Sequence, residues 1–93
     1  MGAQSFIISG HLYGRTIEQC FDDARGDRSE RGYTGTIAEK DTFVMMPPIE
    51  SKTLEASAWQ YIDDEDPRIN EKYGPAGCLQ DGQWYCFFGW ASA

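Results

Sequence analysis

Few side chains in this 93-residue chain could do chemistry unaided, and their spacing decides what they can do. His11 is the single histidine, beside Gly10 and close to Tyr13. A general base there needs a nucleophile or an orienting carboxylate within reach, and no spacing around it nominates either. Cys20, Cys78 and Cys86 are an odd set, spaced like neither a zinc site nor a disulfide framework. They read as reduced, buried thiols. Asp63-Asp64-Glu65-Asp66 are consecutive acids, whereas a calcium loop alternates its acids around a central glycine. Gly32-Tyr33-Thr34-Gly35-Thr36 lacks both the Walker spacing and its Lys-Ser/Thr. Arg25, Arg28 and Arg31 recur regularly, but Gly26, Asp27 and Glu30 break the stripe that nucleic-acid binding needs. These residues nominate no catalytic group, no metal and no cofactor, so the expectation is a non-enzymatic protein.

What remains is charge and aromatic surface. The net charge is −7, with seven acids against five bases in residues 1–46 and eight against three in residues 47–93. Such a surface repels nucleic acid and anionic membrane and attracts basic surfaces. Carboxylates can occupy a site built for phosphate, because an arginine or lysine fork accepts either group. Asp63, Asp64, Glu65 and Asp66, with the aromatic anchors Trp84, Tyr85 and Trp90, are therefore the expected partner-binding residues. The partner they fit is a protein with a basic surface, with no direct nucleic acid and no membrane. The bland alternative is that the acids cap a helix and keep a small protein dissolved.

The elements that must position these residues follow from periodicity. Residues 1–93 make a single domain. Gln4–Ser9 is a first strand, with a bulge or a close backbone approach expected at Gly10. Thr16-Ile17-Glu18-Gln19 is a capping box, and Ile17, Cys20, Phe21 and Ala24 form the apolar stripe of the helix it opens. Gly26 is the expected C-cap. Tyr33–Ala38 and Thr42–Met46 read as a hairpin about Glu39-Lys40-Asp41, stopped by Pro47-Pro48. Ser51 or Thr53 caps a second helix with the stripe Leu54, Ala58, Tyr61 and Ile62, and Trp59 at its edge. Asp66-Pro67 looks like the start of a short third helix over residues 68–73, since carboxylates oppose a helix C-terminus. Asp81-Gly82 is a hairpin turn, which sets Leu79 opposite Trp84 and Cys78 opposite Tyr85.

The last strand then has Trp84, Cys86, Phe88 and Trp90 on one face, and Tyr85, Phe87 and Gly89 on the other. The expected fold is α+β: a mostly antiparallel sheet of four or five strands, two main helices on one face, in the order β-α-β-β-α-α-β-β. Helices on one side leave the second aromatic face bare, for a partner or for a second copy of the chain. A structural protein or homodimer built through that aromatic C-terminal strand is the alternative function. No apolar run has the length of a membrane span, and no basic region precedes the first apolar run as in a signal peptide.

Residues 32–46, Gly-Tyr-Thr-Gly-Thr-Ile-Ala-Glu-Lys-Asp-Thr-Phe-Val-Met-Met, resemble a run found in small uncharacterised bacteriophage and prophage proteins. Tyr73–Cys78 and the Phe87-Phe88-Gly89-Trp90-Ala91-Ser92 ending are similar to the close of such proteins. The resemblance covers most of the chain from Thr16 onward. It implies a phage accessory protein acting in the host bacterial cytoplasm; by analogy of size and origin, not of motif, the expected action is binding and inhibiting a host complex as anti-CRISPR proteins do. It transfers no catalytic residue.

Overall fold

Alternation along the last strand decides the architecture. The computed structural model describes residues 3–25, 42–70 and 74–92. Its elements are β1 (Ala3–His11), α1 (Ile17–Arg25), β2 (Phe43–Met45), α2 (Leu54–Asp63), β3 (Ala76–Asp81) and β4 (Trp84–Ser92). The four strands form one sheet in the order β1-β4-β3-β2, an α+β fold. β4 is antiparallel to both β1 and β3, while β2 runs parallel to β3.

Successive side chains of a strand point to opposite faces, so the two apolar faces of β4 need separate cover. Tyr85 and Phe87 pack with Cys20 and Phe21 of α1, joined by Phe6, Ile8 and Phe43. Cys86, Phe88 and Trp90 pack with Ala58 and Ile62 of α2, joined by Ile7, Val44 and Tyr61. The helices therefore lie on opposite faces of the sheet, not on one. This corrects the expectation that a face of the aromatic strand stays bare: Phe87 and Phe88 are both fully enclosed within a single protomer. Burying each such ring is worth about 1.5–3 kcal/mol. A strand that is apolar on both sides, with only one helix for each side, has this solution and no spare cover.

Local signals hold closely. Thr16 and Gln19 form the reciprocal capping box, each side chain accepting from the other's backbone N–H at 3.1 and 3.0 Å. Thr53, not Ser51, caps α2, its hydroxyl accepting from the Ala56 N–H at 3.1 Å. β1 runs through Gly10 without a bulge. There the close approach is a ring: a Cβ on Gly10 would sit 2.7 Å from the Tyr85 hydroxyl.

Three other expectations shift. The β3–β4 turn is Gly82-Gln83, with Asp81 already paired to Trp84 and Cys78 to Phe87. Only Gly82 has a positive φ, 63°, which is the sign pattern of a type II′ turn, so Asp81 stays in the strand. Each pairing moves by two residues, and the face assignments survive. Residues 67–69 form a turn in which the Ile69 N–H donates to the Asp66 carbonyl, not the start of a regular helix. β2 takes β3 as a parallel partner. The expected strand at residues 33–38, the turn after it and the Gly26 cap lie outside the described residues.

Candidate functional site

α2 is amphipathic in an unequal way. Ser57, Ala58 and Ile62 are buried, and the Ser57 hydroxyl accepts the Ile49 N–H at 3.0 Å, tying the incoming chain to the helix. On the solvent side Glu55, Trp59 and Asp63 fall at i, i+4 and i+8, which is one row along a helix. Trp59 is 50% exposed, and the row ends in the acidic run.

That run closes the helix against two local rules. Asp63 is the last helical residue and Asp64 the C-cap, so two carboxylates stand at the negative end of the helix dipole. The Glu65 N–H donates to the Ile62 carbonyl at 3.1 Å and the Asp66 N–H to the Tyr61 carbonyl at 3.2 Å. These are the two bonds of a Schellman motif, whose left-handed residue is usually glycine. Here it is Glu65, with φ 54°. Asp64 accepts from the Gln60 side chain at 3.0 Å. Asp63, Asp64 and Glu65 are exposed and have no ion-pair partner among the described residues.

Asp66 is different. It holds the Arg68 guanidinium by two bonds of 2.9 and 2.7 Å and accepts the Arg68 N–H as well. The side-chain bond to Arg68 holds the Asp66 carboxyl below its ordinary range. Arg68 also lies over the Tyr61 ring, 5.6 Å from its centroid. Asp66 is thus a structural tie, while Asp63, Asp64 and Glu65 remain open to a partner.

The three nominated rings separate in the same way. Trp84 is 59% exposed. Tyr85 is buried against Phe87 and overlies Gly10, and burial pushes its hydroxyl pKa up, so it is no solvent-facing anchor. Trp90 is half-buried on the α2 face, its indole Nε1 enclosed without a hydrogen-bond partner among the described residues. Trp84 sits at the open end of the β1–β4 ladder, where the His11 ring meets it edge-on at 4.7 Å and Tyr13 at 4.4 Å from His11 extends the cluster. His11 Nδ1 accepts the Tyr13 N–H at 2.9 Å, which places the proton of the neutral ring on Nε2. Beside Trp84 opens a groove of about 350 Å³, lined by Ser9, Gly10, Thr53, Leu54, Glu55 and Tyr85.

No family model, curated protein or solved structure matches this chain. The site therefore stands on its geometry. Among the described residues no group of three His, Cys, Asp or Glu side chains is placed to hold a metal ion, and no helix is long and apolar enough to cross a membrane. Trp59 and Glu55 carry more of this surface than their sequence signals suggested, and Ser57 supports it from the buried side of the helix. The i, i+4, i+8 row of Glu55, Trp59 and Asp63 was readable; that it faces solvent depends on which side of α2 meets the sheet.

Proposed function

We propose that this chain is a non-catalytic binding protein that engages a basic protein surface through the solvent face and C-terminal end of α2. Trp59 is the aromatic anchor, and Glu55, Asp63, Asp64 and Glu65 surround it with negative charge. Aromatic anchors hold an interface, and complementary charge speeds and orients encounter. The observation that carries this reading is Glu65 in a left-handed conformation at a helix end already crowded with carboxylates. Such a violation of local preference lowers stability, and it fits residues retained for contact rather than for folding.

The resemblance to phage proteins extends the proposal to its setting. The partner is a bacterial host complex that handles nucleic acid, and the acidic surface competes for its phosphate-binding groups in an anti-CRISPR-like inhibition. A homodimer through β4 is disfavoured, because β1 and β3 occupy both of its edges.

The test is capture from bacterial lysate by the immobilised chain, compared with a variant carrying Trp59→Ala, Asp63→Asn, Asp64→Asn and Glu65→Gln. The expected result is one stoichiometric protein, released by salt and lost with the variant. Equal capture by both, or no capture at all, overturns the reading.

A further inference from the structure

We infer that the groove beside Trp84 receives an arginine side chain of the partner protein. This rests on the proposal that the chain binds a basic protein surface and names the contact made next to the α2 row. The groove joins an exposed indole, an apolar wall at Leu54 and one carboxylate, Glu55. Ser9 Oγ donates to Glu55 Oε2 at 3.1 Å, which fixes the carboxylate over the groove and leaves most of its acceptor positions open. No cation among the described residues pairs with it.

The indole is posed as well. The His11 ring packs against it with the planes 86° apart, and Trp84 as a residue stays 59% exposed. A flat aromatic face beside a carboxylate is the pair that a guanidinium satisfies at once. Its plane stacks on the indole, its paired N–H groups donate to the carboxylate, and its aliphatic stem covers the apolar wall. The volume suits one long side chain. An anion drawn to the N-terminus of α2 would meet Glu55 in the first turn of that helix, so charge selects a cation.

The test is a titration of the ¹⁵N-labelled full chain with the capped peptide acetyl-Gly-Arg-Gly-amide. The matching citrulline peptide is the uncharged control, and propylguanidinium is the free guanidinium. Expected are saturable shifts centred on the Trp84 indole N–H and the Gly10 and Glu55 amides, absent with citrulline. Glu55→Gln weakens binding about tenfold, as loss of one charge-assisted bond should. Trp84→Ala weakens it comparably, and both variants keep the parent spectrum elsewhere. Shifts centred elsewhere, equal binding of the citrulline peptide or unchanged affinity of Glu55→Gln overturns the inference. Propylguanidinium binding more tightly than the peptide overturns the protein source. Because the peptide needs no natural partner, a failed titration with intact lysate capture removes the groove alone. No capture by the parent chain, or equal capture by the α2 variant, with a working titration removes the α2 surface alone.

Discussion

Glu65 sits where a Cβ is a liability. At φ 54° its side chain crowds the backbone, and glycine would hold the same two Schellman bonds without that strain. Glu65→Gly should therefore raise the urea midpoint, by about 0.5–1 kcal/mol in stability after the extra freedom of the unfolded glycine is counted. The same change should weaken partner capture, separating the demands of folding from those of contact. A midpoint that falls would show that the Glu65 side chain supports the fold. Asp66 makes the contrast plain: one position further on, the carboxylate is fully engaged by Arg68. Adjacent acids thus play unlike parts, and composition alone treats them as one patch.

Between elements, one tight fit is a ring over a missing side chain. Gly77 of β3 lies opposite Phe88 of β4, and a Cβ there would stand 2.5–2.8 Å from three atoms at the tip of the ring. Phe88 has nowhere to retreat, since Tyr61 of α2 stacks on it at 5.8 Å with planes 12° apart. Gly77→Ala should cost about 1–3 kcal/mol by overpacking, more than any gain from replacing glycine in a strand. Urea unfolding checks this, and an unchanged or raised midpoint would mean that α2 can ride outward freely. The gap was visible in the sequence only as an unexplained glycine. Local chemistry was more legible: the Thr16–Gln19 capping box and the face alternation of β4 needed nothing beyond neighbours in the chain. The side to which each helix crosses was not, because that depends on where β1 and β2 sit in the sheet. The hairpin register failed for a related reason, since Asp81-Gly82 and Gly82-Gln83 are both sound turns and the ladder with β1 and β3 decides between them.

For the molecule as a whole, burial sets the chemistry of its thiols. Cys78 faces α1 beside Cys20, and Cys86 faces α2, so the first core holds two thiols and the second one, and all three cysteines are free and buried. Burial, aided by nearby negative groups, pushes the Cys78 and Cys86 thiols up to about 12 from an ordinary 9.0. The folded state thus prefers the protonated form, and its advantage is complete below the unfolded value. As pH rises past about 9 the unfolded chain ionises first, so stability should fall towards pH 12, by up to about 1.4 kcal/mol per pH unit for each thiol. Urea midpoints between pH 8 and 11 measure the slope, and Cys78→Ala with Cys86→Ala should flatten it even though the cavities lower its starting point. A slope that the double variant leaves unchanged would assign the alkaline loss to other groups.

The place of β4 in the sheet has a consequence for how the chain comes off the ribosome. Both long ladders require it, so β1 must wait, unpaired with its eventual neighbour, until α1, β2, α2 and β3 have all been synthesised. Closure of the sheet therefore follows synthesis of β4, and until then the nascent chain carries β1 open to helpers or to misassociation.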